Sequence, residues 1–222
     1  MKKIMFNDEL SLTKSVLDGN KRQTRRICKY DRPSDEWGIG FPIFEANDFN
    51  DEGECTSPLN YAFGWRNKST GEEIKWNIPK YKVGEVVAIA QRYKDVLDFL
   101  PEAFRRKSDG YISSIIPTSA GLNNKMFVRA GLMPHKIKIT DIKIERLQDI
   151  SDEDCLKEGV VKGKVGNAHT DNWMDAYYTH RSSIDPCCTP REAFALLIDK
   201  VSGKGTWQRN PYVFAYEFEL VK

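Results

Sequence analysis

The stretch "HKIKITDIKIERL", residues 135–147, alternates apolar and polar residues and decides the fold. Ile137 and Ile139 lie on one face, and Ile142 and Ile144 resume the alternation after a shift of one residue. A period of two indicates a strand, and one extra residue within it predicts a β-bulge. Because bulges bend a sheet toward closure, we expect a curved antiparallel sheet.

Three other stretches predict further strands of this sheet. "KVGEVVAIAQRY" (82–93) predicts a turn followed by a buried strand, and "MFVRA" (126–130) a short strand. "PYVFAYEFELV" (211–221) alternates again.

Three helices are predicted around the sheet. Residues 8–18 have apolar side chains at helical spacing, before Gly19. Ser151 is a favourable cap for a helix with an acidic first turn, and Thr189 begins a capping box with Pro at the next position. The sequence therefore predicts an α+β protein, mainly β, with flanking helices.

Two segments interrupt this pattern. Residues 31–75 are irregular but rich in aromatics, which predicts an ordered insertion packed on the main body. Residues 161–188, glycine-rich and then aromatic, are interpreted as an insertion in the form of a loop or lid. No repeat divides the chain, so we expect one domain over 1–222.

Composition excludes several classes of protein. The 222 residues are 40% hydrophobic and 30% charged, as in globular proteins. No apolar run is long enough to span a bilayer and no signal-peptide core is recognisable, so we expect a cytoplasmic protein without a membrane partner. Five irregularly spaced cysteines are expected to be reduced thiols.

Charge is distributed unevenly along the chain. Residues 1–30 hold eight Lys or Arg against three Asp or Glu, whereas residues 31–60 hold one Arg against eight acids. This pattern predicts a small basic patch. Such a patch suits a nucleotide or a short phosphodiester better than a long duplex.

"GNKRQTRR", residues 19–26, places four cationic side chains around Thr24 directly after the first predicted helix. From the residues alone, the stretch is either a solvated basic turn or the wall of a pocket for an anion. Lys21 and Arg26 are suited to neutralise charge that develops on an oxygen atom.

Other catalytic signatures are missing from the sequence, including GxGxxG after a strand, GxxxxGK[ST], HExxH and GxSxG. His169, His180, Cys187 and Cys188 are potential zinc ligands, but adjacent cysteines lack the usual gap between ligands. We therefore predict no metal and no cofactor.

The spacing G-x-K-x-x-T-x-R in residues 19–26 resembles the N-terminal motif of the ASCH domain, a member of the PUA-like superfamily. "YKVGEVV", "IKIERLQDISDEDCLKEGV", "PREAFALLIDKV" and "WQRNPYVFAYEFEL" extend the resemblance to longer ASCH-like proteins of phages and prophages. The resemblance implies a curved PUA-like β-barrel, and it leaves residues 31–75 and 161–188 unmatched.

One ASCH branch, a bacterial amidohydrolase, removes the acetyl group from N4-acetylcytidine. Matching its motifs implies that Lys21, Thr24 and Glu158 are the catalytic residues. A threonine hydroxyl becomes nucleophilic only if a neighbour accepts its proton, and a carboxylate or a desolvated lysine is able to do so. Glu158 lies at a helix C-terminus, where a carboxylate needs a compensating cation such as Lys21.

The sequence departs from the family pattern after the "VGE" turn, where Ala88, Ala90 and Gln91 replace an aromatic, an Arg and a Glu. Arg92 or Tyr93 is the candidate substitute for the missing contacts. His135 is interpreted as a turn residue. The full set of candidate ligand-binding residues is Arg22, Arg25, Arg26, Arg92, Trp207 and Arg209.

Three functions stay open at this point. The first is hydrolysis of an acylated nucleoside, and the second is noncatalytic binding of a nucleoside, nucleotide or RNA. An RNA-binding module requires a basic strip from Arg22 and Arg25 to Lys136 and Lys138. The third is a phage protein that binds a host protein partner through an exposed apolar patch on the insertions.

Overall fold

The structure is a computed structural model that describes residues 1–40, 43–45, 60–100, 107–108, 111–112, 120–167, 172–180 and 183–221. The strands are β1 Lys3–Ile4, β2 Gln23–Ile27, β3 Trp37–Ile39, β4 Ile43–Glu45, β5 Asn60–Asn67, β6 Glu73–Asn77, β7 Val86–Ile89, β8 Lys107–Ser108, β9 Tyr111–Ile112, β10 Lys136–Arg146, β11 Val161–Asn167, β12 Asn172–Tyr178 and β13 Tyr212–Val221. The helices are α1 Leu12–Leu17, α2 Asp152–Lys157, α3 Pro190–Ser202 and α4 Thr206–Arg209. The chain is a mixed α+β protein in which strands predominate.

The main sheet has five strands in the order β1-β7-β10-β13-β2. The β10–β13 register shifts between Ile139 and Asp141, which confirms the predicted bulge. Ile137, Ile139 and Ile142 are all buried, as the alternation requires. The sheet is not wholly antiparallel as predicted, because β1 pairs in parallel with β7.

The two outer strands of this sheet approach each other without pairing. β1 and β2 are at opposite ends of the strand order, and no ladder joins them among the described residues. Instead, Arg26 Nη2 on β2 donates a hydrogen bond to the Met5 carbonyl oxygen, at 2.7 Å. We call the space between residues 5–7 and β2 the seam. The sheet curls toward itself, but no closed barrel is present in the described part of the chain.

A second sheet, β3-β5-β4 with β6 on β5, is built from residues of the predicted first insertion. Phe63 and Trp65 on β5 are completely buried and pack against Tyr212 and Phe214 of β13 in edge-on or tilted arrangements, at centroid separations from 5.0 to 6.0 Å. The described part of residues 31–75 is therefore ordered and joined to the main core. Residues 41–42 and 46–59, also in this predicted insertion, lie outside the described residues.

The predicted helix caps are present. The Ser151 side chain accepts from the Asp154 amide, and Thr189 and Glu192 form the capping box of α3. The first helix is shorter than the predicted 8–18, because residues 8–11 form a turn and Ser11 has a φ of 53°.

Two predictions about local structure are wrong. Residues 126–130 do not form a strand: two 3₁₀ turns occupy Lys125–Phe127 and Ala130–Leu132, the first capped by Asn124. The described part of the second insertion is not the irregular loop expected, because β11 and β12 pair over seven residues each, whereas its role as a lid stays a prediction. Its glycines serve close cross-strand packing, since a Cβ at Gly166 would overlap the Asn172 carbonyl oxygen.

Helices α1, α2 and α3 contribute to the main core through Leu12, Val16, Cys155, Phe194 and Leu197. None of the helices in the described ranges combines the length and apolar character needed to cross a lipid bilayer.

Candidate functional site

A cavity of about 270 Å³ lies at the seam. Residues 5–7, the segment from Lys21 through β2, Glu158 and one side of α3 form its wall. The chain reaches this arrangement because β2 is an edge strand, so its outer edge faces the seam and not another strand of the described chain. Lys21, Thr24, Arg25, Arg26 and Glu158, all predicted site residues, line this one cavity.

Alternation along β2 separates the functional side chains into two sets. Arg25 pairs with Ala215, and Thr24 with Tyr216, so these two neighbours point to opposite faces of the sheet. Arg25 lies on the α2 side, where it meets Glu158. Thr24 shares the other face with Arg26. Side chains of both sets line the cavity, because it runs along the edge of the sheet.

Lys21 and Glu158 form a buried ion pair. Lys21 Nζ lies 2.6 Å from Glu158 Oε2, and the two side chains are only 2% and 6% exposed. The same nitrogen donates to the Glu158 carbonyl oxygen, at 2.6 Å. Burial lowers the pKa of Lys21, although the Glu158 carboxylate opposes this effect.

The end of α2 positions both partners. Glu158 is the C-terminal cap of α2, and Gly159 follows with a φ of 107°, a conformation that other residues rarely adopt. A Cβ at Gly159 would lie 3.6 Å from Lys21 Cδ and 3.3 Å from Leu12 Cδ2. The glycine therefore ends the helix and lets the Lys21 stem pack beside it. Lys21 supplies the cation that the carboxylate needs at this helix end.

Arg25 holds the carboxylates around it in place. It donates to Glu145 Oε1 at 2.5 and 2.8 Å, to Glu158 Oε1 at 3.1 Å and to Asp154 Oδ2 at 3.3 Å. Its Nη1 also donates to Gln23 Oε1, at 2.7 Å. Burial acts to lower the pKa of Arg25, but the Glu158 and Glu145 carboxylates together raise it. Arg25 is thus a fixed cation that orients Glu158.

Sequence reasoning missed Glu145, Asp154 and Gln23 as members of this network. Two signals in the sequence pointed to Asp154 and Glu145. Asp154 and Glu158 are four residues apart in α2 and so share a helix face. Glu145 follows the bulge in β10, on the face opposite Ile144. Neither signal identifies Arg25 as the common partner, because that contact depends on how β2 lies relative to α2.

Thr24 is 5% exposed and belongs to the β2–β13 ladder opposite Tyr216. Within the described chain, no hydrogen bond joins its hydroxyl to Lys21 or Glu158. The hydroxyl is therefore placed at the cavity wall without an activating partner already bonded to it. Catalytic hydrogen bonds are often long or absent before a substrate is bound.

The other predicted ligand-binding residues lie elsewhere. The Arg22 backbone bonds to Lys157 and Phe218, and its side chain is exposed beyond the cavity wall. Arg92 pairs with Asp95 at 2.6 Å. Trp207 packs edge-on against Phe194 of α3. Arg209 lines a separate cavity of about 200 Å³.

The departures at Ala88, Ala90 and Gln91 have a structural explanation. Both alanines are buried in a small core with Tyr93, Val96, Leu100, Val128 and Met133. Gln91 Oε1 lies 2.7 Å from His135 Nδ1, so His135 is bonded to the sheet as a structural residue. Tyr93 is not among the residues that line the seam cavity. Its hydroxyl accepts a hydrogen bond from the Arg129 amide instead.

The described residues contain no group of three or more His, Cys, Asp and Glu arranged to hold a metal ion. His169, one of the four potential zinc ligands, lies outside the described residues. Cys28, Cys155, Cys187 and Cys188 are free thiols, and Cys55 is outside the described ranges.

The host-partner hypothesis stays a prediction. On the β11–β12 hairpin, Val165, Trp173 and Met174 are exposed apolar side chains. Nothing in the described part of the chain covers them, and much of the first insertion lies outside that part.

No protein-family model, no curated protein and no solved structure matches the chain, so its resemblance to ASCH proteins stays a prediction.

Proposed function

We propose that the seam cavity binds an acylated nucleobase and that the protein hydrolyses its amide bond. The observation that supports this function best is the buried Lys21–Glu158 ion pair in the wall of a cavity that Thr24 also lines. A lysine whose pKa is lowered by burial is a better proton acceptor near neutral pH than a solvated one.

The size and lining of the cavity fit a base better than a larger ligand. Its volume, about 270 Å³, is slightly below the range of about 300 to 1,000 Å³ typical of ligand pockets. Its apolar wall includes Phe6, whose ring centroid lies 5.9 Å from both Lys21 Nζ and the Arg26 guanidinium carbon. A flat, polar heterocycle with a small acyl group matches these dimensions and this mixed wall.

The reaction is proposed to proceed through an acyl intermediate on Thr24. Neutral Lys21 accepts the hydroxyl proton as Thr24 Oγ1 bonds to the amide carbon, and Arg26 stabilises the oxyanion. The C–N bond then breaks, and Lys21 returns the proton to the leaving amine. Water hydrolyses the ester, which releases the carboxylic acid and restores the hydroxyl. Glu158, held by Arg25, orients Lys21 throughout.

The family, the barrel fold and the cellular location are part of the same proposal. We propose that the chain is an ASCH protein with a PUA-like barrel whose closure is incomplete at the seam. Two observations support this: the bulged strand at the centre of the sheet, and the side-chain bridge from Arg26 to Met5. We also propose that the protein acts in the cytoplasm on nucleosides or RNA.

The test is deacylation of a panel of N-acylated nucleosides, followed by chromatography. We expect wild-type turnover to be lost in Lys21→Ala and in Thr24→Val, which removes the hydroxyl and keeps the shape. Thr24→Ser should retain partial activity. The matched control is Lys143→Ala, an exposed lysine of β10 outside the cavity walls. Turnover that survives Thr24→Val excludes Thr24 as the nucleophile, and absence of turnover from the wild type excludes the enzyme.

Noncatalytic binding of a nucleoside is the second candidate, and one observation favours it. Lys21 Nζ already has two acceptors on Glu158 at 2.6 Å, which is the geometry of a charged, fixed donor. Such a lysine binds a carbonyl oxygen of a base and does not take up a proton. Saturable binding of N4-acetylcytidine without turnover, weakened by Lys21→Ala, is the result expected of this candidate.

A further inference from the structure

A second cavity, of about 520 Å³, lies on the other side of the seam. Its walls come from β2 and the residues after it, from the end of β6 through Tyr81, and from Phe214 and Tyr216 of β13. Met5, Arg26 and Ile27 line both this cavity and the smaller one. The two cavities are therefore neighbours that share one wall, and Arg26 is the charged side chain in it.

The charge of the larger cavity is one-sided. Arg26, Lys29 and Lys80 line it, and no Asp or Glu of the described residues does. None of these three cations forms an ion pair with another residue of the described chain. Three cations without a carboxylate around a concave surface favour an anionic ligand.

The same cavity has an aromatic platform. Trp76 lies close against Gly64, where a Cβ would be 3.0 Å from ring atoms Cδ2 and Cε2, so the ring is held in place from one side. Asn77 next to it exchanges two hydrogen bonds with the Tyr30 backbone, at 2.9 and 3.0 Å, which fixes the end of β6. A fixed indole next to lysines is suited to stacking on a base whose phosphate is bound nearby.

We propose that the seam binds two consecutive nucleotides of a single strand. The acylated base occupies the smaller cavity, the linking phosphate lies at Arg26, and the neighbouring base stacks on Trp76 in the larger cavity. This inference rests on the proposed function of the smaller cavity and narrows its substrate to an oligonucleotide in place of a free nucleoside. Trp76 and the residues after β6, which directly follow the predicted first insertion, would thus form the second binding site.

The experiment compares the affinities of N4-acetylcytidine and of a cytidine dinucleotide N4-acetylated on one base, measured by titration calorimetry at several salt concentrations. All proteins carry Thr24→Val, so that neither ligand is consumed during the titration. We expect the otherwise wild-type protein to bind the dinucleotide about 10-fold more tightly than the nucleoside, because one more base is stacked. Trp76→Ala should abolish this difference and leave the nucleoside affinity unchanged, and Trp76→Phe should restore most of it. Trp173→Ala, an exposed tryptophan on β12, is the control for loss of an indole.

Salt dependence gives a second readout that does not depend on the fold of the Trp76 variant. Lys80→Ala changes an exposed side chain of the larger cavity. It should weaken binding of the dinucleotide at low salt, but not of the nucleoside, because it lowers the positive potential around the linking phosphate at Arg26. Lys143→Ala should leave the low-salt affinity for the dinucleotide unchanged.

Equal affinities of the otherwise wild-type protein for the two ligands, or dinucleotide binding that is unaffected by both Trp76→Ala and Lys80→Ala, overturns the inference. Failure of the proposed hydrolysis looks different. In that case neither ligand is deacylated by the wild type, whereas the preference for the dinucleotide still depends on Trp76 and Lys80.

Discussion

Lys21 and Glu158 show how two charged side chains are accommodated in the interior of the protein. Each would be costly to bury alone, because an isolated ion loses its hydration without compensation. Together they satisfy each other at 2.6 Å, and Arg25 occupies the second carboxylate oxygen. The network therefore makes each residue dependent on the others, and substitution of one leaves a buried charge.

Glu158→Ala tests this dependence. It removes the partner of a lysine that is 2% exposed, so we expect the free energy of unfolding to fall by about 3 to 5 kcal/mol. Glu153→Ala is the matched control in α2, since the Glu153 carboxylate is 79% exposed and, among the described residues, forms an ion pair only with Lys157, at 3.3 Å. The control should cost less than about 1 kcal/mol. Chemical denaturation followed by circular dichroism measures both, and equal effects of the two substitutions would contradict the argument.

Lys21 also predicts a dependence of stability on pH. Burial lowers the pKa of Lys21 in the folded protein below the value of about 10.4 for an unfolded chain. Between these two values the unfolded chain binds the proton more strongly, so stability due to this residue rises with pH. We expect the unfolding free energy of the wild type to increase relative to that of Lys21→Met as the pH rises toward about 10. A difference that decreases over this range means that the folded protein prefers the ammonium form.

At the scale of elements, α3 forms one wall of the seam cavity and depends on its N-terminal cap. Thr189 accepts from the Glu192 amide, and the Glu192 carboxylate accepts from the Thr189 amide in return. At the other end, Asp199 accepts from the amides of Gly205 and Trp207, which joins α3 to α4. These bonds fix where Phe194 and Leu197 contact the cavity.

Thr189→Ala should lower the free energy of unfolding by about 1 kcal/mol, because the first turn of α3 loses its cap. Ser11→Ala is the comparison, since Ser11 precedes α1 without a capping hydrogen bond from its side chain. We expect that substitution to change stability by less than half as much. Thermal unfolding measures both, and a larger loss at Ser11 would show that backbone strain outweighs capping here.

The sequence predicted those elements whose determinants are local. Alternation with a phase shift gave the bulged strand β10, and cap residues gave the starts of α2 and α3. The β11–β12 hairpin was missed because its glycines resemble a loop, whereas they allow close contacts such as that of Gly163 with the Tyr178 ring. Residues 126–130 were misassigned because a short apolar run fits a strand or a 3₁₀ turn equally well.

At the scale of the whole molecule, the second sheet is part of the main core. Trp65 is completely buried, lies 5.0 Å from Tyr212 between ring centroids, and donates from Nε1 to the Tyr30 carbonyl oxygen. The main sheet and the second sheet thus share one aromatic cluster. We expect them to unfold in a single cooperative transition.

Trp65→Ala should cost about 3 to 5 kcal/mol, since it leaves a cavity between the two sheets. Trp173→Ala, at a position that is 48% exposed, should change stability by less than about 0.5 kcal/mol. Urea denaturation followed by fluorescence and by circular dichroism should give coincident curves for the wild type. Two separate transitions would show that the sheets fold independently.

The placement of the candidate site shows what sequence can and cannot reveal at this scale. The motif of residues 19–26 and the resemblance it supports pointed to Lys21, Thr24 and Glu158, and the structure places all three at one cavity. Arg92 was chosen as a substitute for contacts of the family pattern, and Trp207 and Arg209 for their place before the last strand, but their positions in the fold direct them elsewhere. Arg25 was expected to face a ligand, yet three carboxylates surround it, a consequence of helix placement that no local pattern encodes.

The side-chain bridge between Arg26 and Met5 has a consequence for how this protein is able to change. Where two strands are joined by backbone hydrogen bonds, almost every amino-acid substitution leaves those bonds in place, so the shape of the junction is preserved. Here one side chain, that of Arg26, reaches a backbone oxygen, so a single substitution at Arg26 changes the width or the charge of the opening while the ladders on either side stay intact. Selection for a new ligand is therefore expected to act first at this gap.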